Sequence, residues 1–138
     1  MMSQLANVNW ISIALAFIVY FVLGDLWFRM LFPKPYKISL DRAEDEVLPN
    51  KPIFILGPAI CALMITIATA VLLYALNISS YVDALEFALF IGCGYLVANT
   101  LNIAINPNIL RPILYGIISG SCHLAGILIV SIILVAMK

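Results

Sequence analysis

Residues 24–36 read GDLWFRMLFPKPY, and the rest of the chain is organised around this stretch. It closes an apolar run that starts near residue 9 and is broken by charge only at Asp25 and Arg29. A helix rises about 1.5 Å per residue, so roughly 20 residues cross the hydrocarbon of a bilayer. The run is therefore long enough to span a membrane, and the prolines and lysine that follow it end the span.

The two charges in this stretch stand four residues apart, so Asp25 and Arg29 share one face of the predicted helix and their side chains can meet. Two interpretations are open. Asp25 is a candidate proton or cation site, because ionisable groups inside membranes often mark functional sites. Alternatively, the pair is a structural anchor near the bilayer boundary, where the long side chain of Arg29 extends its charge towards water.

The composition places the protein in the membrane. Of its 138 residues, 64% are hydrophobic, and the mean hydropathy is +1.13. Soluble domains contain roughly 45–50% apolar residues. The net charge is zero. We expect the lipid bilayer as the surroundings of the chain and no nucleic-acid partner.

The apolar residues form four long runs that are hydrophobic on all sides, as in helices surrounded by lipid and by each other. The predicted fold is all-α, with four transmembrane helices in an up-down antiparallel bundle that makes up one domain, residues 1–138. The predicted spans cover residues 9–31, 53–76, 84–105 and 110–136. The first run is too long for the core of a signal peptide and is interpreted as a retained helix.

The loops carry weaker signals. Loop 32–52 is the only substantial polar segment, and residues 39–47 within it are predicted to form a short amphipathic helix. Asp83-Ala-Leu-Glu86 has the spacing of a helix-capping box, with Asp83 as the cap. Asn106-Pro107-Asn108 is predicted to be a turn whose proline stops the third helix.

Charge bias predicts the orientation. Most Lys and Arg residues lie in or just before loop 32–52, and Arg111 lies in the third loop. Because cytoplasmic loops are enriched in basic residues, both loops are predicted to be cytoplasmic and both termini outside. The expected location is the cell inner (plasma) membrane, which the chain would cross several times.

Cofactor and metal sites are not predicted. Cys61, Cys93 and Cys122 stand alone inside apolar runs, and the chain has a single histidine. This pattern supports neither a disulfide framework nor a zinc site. We expect no cofactor and no metal.

Polar residues within the third predicted span recur at helical spacing. Asn99, Asn102 and Asn106 are three and four residues apart, so they line one helix face. Extended backwards in the sequence, that face would include Tyr95, Gly92 and Ala88. Glu86 lies thirteen positions before Asn99 and is predicted to point away from the asparagines.

The fourth predicted span carries His123 near its middle, with Ser119 and Gly126 on or beside the same face. Gly116-x-x-x-Gly120 is a motif that lets another helix approach closely. His123 is either a functional ionisable group or a neutral imidazole bonded to an asparagine or serine of a neighbouring helix. One hypothesis brings His123 together with Asp25, Asn99 and Asn102 in the inner half of the bundle.

A family resemblance rests on these residues. The first span opens with Asn9-Trp10 and continues with Gly24, Leu26-Trp27-Phe28, Leu31-Phe32, Lys34 and Tyr36, and residues 117–124 (IISGSCHL) resemble a closing helix. In these features the chain resembles the DUF1761 family, bacterial membrane proteins of unknown function. The resemblance implies a four-helix integral membrane protein, and it assigns no catalytic residues. The family commonly has small apolar residues at the position of Asp25, so it assigns Asp25 no role.

Two functions fit these observations. One is an oligomeric transport or channel-like protein in which Asp25 or His123 binds a proton or cation. The alternative is a structural or accessory membrane subunit that binds a partner complex or lipid. We expect either a homo-oligomer or a membrane protein partner. An enzyme is not expected, because the sequence has no Ser/His/Asp set, phosphate-binding glycine loop or acid–base carboxylate pair.

Overall fold

The computed structural model describes residues 2–47, 49 and 51–138, and the described residues contain helices and turns but no strand. Residues 1, 48 and 50 lie outside this description, and the last two belong to the predicted loop 32–52. Four helices are long and apolar enough to cross a membrane, which confirms the all-α class and the four spans. The first to fourth spans are Trp10–Leu31, Ile53–Ala75, Tyr81–Ala104 and Pro112–Ala136.

Polar side chains cap the first and third spans. Asn9 accepts hydrogen bonds from the backbone N–H groups of Ile11 and Ser12, so it is the N-cap of the first span. The third span starts earlier than predicted, because Ser80 caps it by accepting from the N–H of Asp83. The prediction that Asp83 is the cap is therefore wrong. Asp83 lies in the first turn, where its negative charge is attracted to the positive end of the helix dipole.

The helix in the first loop also lies earlier than predicted. It spans Pro33–Ser39, whereas residues 40–47 form turns and irregular backbone. Prolines in a first helical turn cost no hydrogen bond, because those N–H groups have no partner within the helix. Asp41 follows this helix in the left-handed region (φ 56°), where Asp and Asn are tolerated, and ends it.

The fourth span is the centre of the structure. The first, second and fourth spans pack against one another, whereas the third span packs extensively only against the fourth. The start of the first span meets the end of the fourth, where Asn9 Nδ2 donates to the carbonyl of Met137 at 2.8 Å. These two helices therefore run antiparallel. We call this the terminal end, and the end nearest loop 32–52 the loop end.

Small and branched side chains fill the contact among these three spans. Ala16, Ala70 and Val130 are fully buried, and Leu73 and Leu134 nearly so. Small residues let helix backbones approach closely inside a membrane. At the terminal end, Lys138 Nζ donates to the carbonyls of Leu73 and Ile78 and so ties the fourth span to the end of the second.

Candidate functional site

The third span keeps one seam of residues against the fourth span along its whole length. Ala84, Ala88 and Gly92 are buried at intervals of four. The seam then advances by five, because residues 92–97 form a π-helical turn. Val97 and Leu101 continue it.

Two glycines of the fourth span make this contact close. A Cβ built on Gly116 would collide with the side chain of Leu101, and one on Gly120 would lie 3.3 Å from Val97. The structure thus places the third span on the Gly116-x-x-x-Gly120 face.

The wide turn also changes which residues share the opposite side of the third span. Glu86 lies midway between Ala84 and Ala88, and Asn99 midway between Val97 and Leu101. Residues two positions from a seam residue stand about half a turn away from it. Glu86 and Asn99 therefore both point away from the fourth span, and the prediction that they lie on different faces is wrong. It assumed an unbroken α-helix.

The polar residues on that side are exposed. We define the exposed polar stripe as Glu86, Tyr95, Asn99 and Asn102; Tyr95 is 67% exposed. Gly92 and Ala88, predicted on the asparagine face, are instead buried in the seam. Gly94 adjoins the stripe and would have nothing within 4 Å of an added Cβ. A second helix can therefore approach the backbone there.

Asn99 has the least favourable position in this stripe. It lies about 10 Å from the middle of the third span, inside a hydrocarbon layer with a half-thickness of about 15 Å. Side chains tilt towards the N-terminus of their helix, which for Asn99 is towards the middle of the membrane. Its side chain makes no hydrogen bond to the described residues. An amide in hydrocarbon without a partner is costly, so another molecule is expected to cover it.

A second polar feature lies at the middle of the first and fourth spans. The hydroxyl of Tyr20 and Nδ1 of His123 are 2.8 Å apart, and each residue lies close to the midpoint of its span. Gly126 leaves room for the ring of Tyr20, since a Cβ there would overlap the ring atoms. Which group donates depends on the tautomer of the imidazole. The hydrogen bond joins the first and fourth spans.

Ser119 lies one helical turn from His123, towards the loop end. Its Oγ is buried and has no hydrogen-bond partner among the described residues. Four other hydroxyls in the spans, those of Thr66, Thr69, Thr100 and Ser121, bond to the carbonyl four residues earlier, as Thr66 does to Ala62 at 2.8 Å. Ser119 does not, so its hydroxyl is free to bind another group.

Aromatic side chains cover the loop end of this face. Trp27 Nε1 donates to the carbonyl of Ile118 at 3.0 Å. The ring centroid of Tyr36, in the loop helix, lies 6.0 Å from that of Tyr115 in the fourth span. Burial raises the pKa of the Tyr36 phenol, and the neighbouring Tyr115 raises it further. Tyr36 therefore stays a neutral hydroxyl at physiological pH.

Asp25 and Arg29 form the predicted ion pair, with Arg29 Nε 2.7 Å from a carboxylate oxygen of Asp25. Both side chains are more than half exposed. The structure does not bring Asp25, Asn99, Asn102 and His123 to one site, because Asn99 and Asn102 point away from the fourth span. His123 instead bonds to Tyr20. Tyr20 was not selected from the sequence. Tyrosines in membrane proteins usually lie at the membrane boundaries, so a tyrosine at the middle of a span could have indicated a specific role.

Two further features of the described residues are the absence of a metal-binding cluster and a shallow surface groove. No three His, Cys, Asp or Glu side chains among them lie close enough together to hold a metal ion. A shallow groove on the first span is open and almost entirely apolar. It is lined by Ile18, Val19, Val22, Leu23, Leu26 and Ile129.

Comparison with known proteins identifies the family. The sequence profile of a protein family of unknown function, DUF1761, matches residues 11–135 of the 138. No curated protein and no solved structure matches the chain significantly. The match extends over all four spans and includes His123, Tyr20 and Asn99. The chain therefore belongs to the DUF1761 family.

Proposed function

We propose that the protein is a structural membrane protein that self-associates through the exposed polar stripe of its third span. The observation that carries this proposal is the position of Asn99, which lies six to seven residues from the middle of an apolar span, points away from the fourth span and has no bonding partner among the described residues. A second copy of the chain is the partner that fits it best.

The chemistry of the amide favours a second copy. An Asn side chain both donates and accepts hydrogen bonds, so two copies related by a two-fold axis along the membrane normal can pair Asn99 with Asn99. Hydrogen bonds of this kind stabilise helix association in membranes by about 0.6–2 kcal/mol. The open space beside Gly94 allows the close backbone contact that such a pair needs.

Glu86 does not oppose this arrangement. It lies in the terminal half of the third span, where the tilt of its side chain points towards the membrane surface. Its carboxylate can therefore reach water while the two helices pack. Tyr95 adds an aromatic surface and a hydroxyl near the middle of the same stripe.

Charge bias supports the orientation that accompanies this proposal. We place loop 32–52 in the cytoplasm and both termini outside, in the inner (plasma) membrane, because Lys34, Lys37, Arg42 and Lys51 lie in that loop. A membrane-impermeant thiol reagent tests this. It should label Lys37→Cys only after the cells are opened, and Ser79→Cys in intact cells.

A native cysteine provides the test of self-association. Cys93 is exposed beside the stripe, whereas Cys61 is exposed on the second span. We expect a bismaleimide to cross-link two copies through Cys93 in a Cys61→Ser/Cys122→Ser background. A chain that retains only Cys61 is the matched control and should stay uncross-linked.

Substitution of the amide distinguishes a specific pair from chance collision. Asn99→Leu should lower the dimer association constant by about three- to thirtyfold, which corresponds to the loss of about 0.6–2 kcal/mol. Thr100→Val, which removes a hydroxyl bonded within its own helix, should leave it unchanged. Equal cross-linking at Cys61 and Cys93, or no effect of Asn99→Leu, would refute the proposal.

A transport or channel-like role is the second candidate, and the hydrogen bond between Tyr20 and His123 favours it. A titratable group at the middle of a membrane is suited to carrying a proton or cation. Proteoliposomes test this role through a pH gradient monitored by an enclosed dye. The second candidate predicts a proton leak that His123→Gln removes, and a leak unaffected by that substitution rejects it.

A further inference from the structure

Hydroxyl groups of the fourth span are arranged differently on the two sides of His123. On the terminal side, the span buries Ile127, Val130 and Leu134, each with at most 1% of its surface exposed. Ile127 lies between His123 and the next hydroxyl on that side, the buried one of Ser131. On the loop side, the same helix carries Ser119 and Tyr115.

Tyr115, Ser119 and His123 recur every four residues, so they lie along one side of the fourth span. Successive members are about 6 Å apart along the helix axis, a distance that one hydroxyl and one water molecule can bridge. Ser119 is only 4% exposed, and its buried Oγ has no partner among the described residues, so both its donor and its acceptor are available. At the loop end, the ring of Tyr36 packs beside that of Tyr115.

The imidazole of His123 has one nitrogen engaged and one free. Nδ1 is hydrogen-bonded to the hydroxyl of Tyr20. Nε2 makes no hydrogen bond to the described residues, and they do not bury it completely. An imidazole can take up one proton and then donates from both nitrogens.

We propose that His123 is a proton-binding site at the middle of the membrane, reached from the loop end past Tyr115 and Ser119. The proton comes from water at the loop end and adds to the unprotonated nitrogen of the imidazole, which becomes an imidazolium. Its Nδ1–H then donates to the oxygen of Tyr20, whose hydroxyl acts as the acceptor. No other bond is broken. This proposal deepens the second candidate function and is independent of self-association through Asn99; its test measures protonation of the imidazole, whereas the liposome experiment measures a proton leak.

Few other ionisable groups face this site. The first span contributes Tyr20, and its charged pair, Asp25 with Arg29, points outward. The fourth span itself adds Cys122 and Tyr115. The third span presents the apolar side chains of Val97 and Leu101. The second span carries Cys61, which is exposed, and the loop helix contributes Tyr36. The imidazole is therefore the group on which a proton taken up here comes to rest.

The single histidine makes the site directly observable. The protein is labelled with ¹⁵N-histidine and reconstituted in lipid nanodiscs, and the imidazole ¹⁵N shifts are followed by NMR as the pH falls from about 8 to 5. We expect one reversible transition to the doubly protonated ring. Shifts that stay constant throughout this range overturn the proposal.

Two serines of the fourth span provide a matched pair for the route. Ser119 and Ser131 are both buried and unpartnered among the described residues, but Ser131 lies two turns beyond His123 towards the terminal end. Ser119→Ala should slow proton exchange at the imidazole at least tenfold, and Ser131→Ala should change it less than twofold. Equal effects overturn access from the loop end. Tyr115→Phe, which keeps the ring and its packing, is the second variant and should slow exchange in the same direction.

Discussion

The contact of Gly126 with Tyr20 leads to a sharp prediction about stability. Gly126→Ala places a methyl group where ring atoms of Tyr20 now lie, and a rigid ring cannot move aside as a flexible side chain can. Overpacking of this kind costs about 1–3 kcal/mol. If the ring shifts, the hydrogen bond to His123 is also lost, at about 0.5–1.5 kcal/mol. Within a helix, alanine is more stable than glycine by about 0.5–1 kcal/mol, which offsets part of this loss. The expected net loss is therefore about 1–3 kcal/mol.

Three alanine variants measure this effect in the same assay, reversible unfolding in mixed detergent micelles followed by the fluorescence of Trp10 and Trp27. Gly57→Ala is the control, because an added Cβ there has nothing within 4 Å, and it should be neutral or slightly stabilising. Gly116→Ala should fall between the two, since it meets the flexible end of Leu101. In a Tyr20→Ala background the cost of Gly126→Ala should disappear, which isolates the pairwise term. If Gly126→Ala unfolds like Gly57→Ala, the close packing of the first and fourth spans is wrong.

Two other predictions concern polar groups of the first span. Asn9→Ala should destabilise the protein by about 1–2 kcal/mol, because it removes both the helix cap and the hydrogen bond to Met137. Asn9→Asp keeps the cap and should destabilise the protein less. Thermal unfolding in mild detergent measures both losses. A similar loss for the two variants would show that the cap contributes nothing, and no loss for Asn9→Asp would show that the bond to Met137 contributes nothing. Arg29→Gln should destabilise more than Asp25→Asn in nanodiscs, because Asp25 lies only about 7 Å from the middle of the span, whereas Arg29 can reach water. The reverse order would show that Asp25 is not in hydrocarbon.

Much of the fold could be predicted from the sequence. The four spans follow from runs of apolar residues too long for a soluble core, and their bounds differ from the prediction by at most three residues, at the start of the third span. Asn106 forms its predicted turn by accepting from the N–H of Asn108. The errors lie at helix ends. Ser80 and Asp83 both fit a capping pattern, and hydropathy does not distinguish between them.

The candidate site was predicted less well, for a specific reason. The faces of the third span were assigned with a uniform period of 3.6 residues, and the π-helical turn at residues 92–97 adds one residue to that period. Glu86 therefore joins the side of Asn99, and Gly92 leaves it. The turn adjoins the contact of Val97 and Leu101 with Gly120 and Gly116, and that contact involves residues distant in sequence.

The pairing of Tyr20 with His123 is a tertiary contact of the same kind. The sequence indicated that His123 needed a hydrogen-bond partner and suggested an asparagine or serine of a neighbouring helix. The structure places the asparagines on the far side of the third span, and the first span supplies a tyrosine instead. Gly126 makes this possible, because only a residue without a side chain leaves room for that ring.

The sequence by itself determined that lipid surrounds this chain, how many times the chain is long enough to cross the membrane, and which residues carry polar groups into it. These properties depend on composition and on runs of neighbouring residues, since transfer into hydrocarbon is nearly additive along a helix. Only the tertiary structure decided which polar groups are paired and which are left facing outward. That outcome depends on how helices rotate about their axes, and rotation is set by the fit of small residues between distant segments.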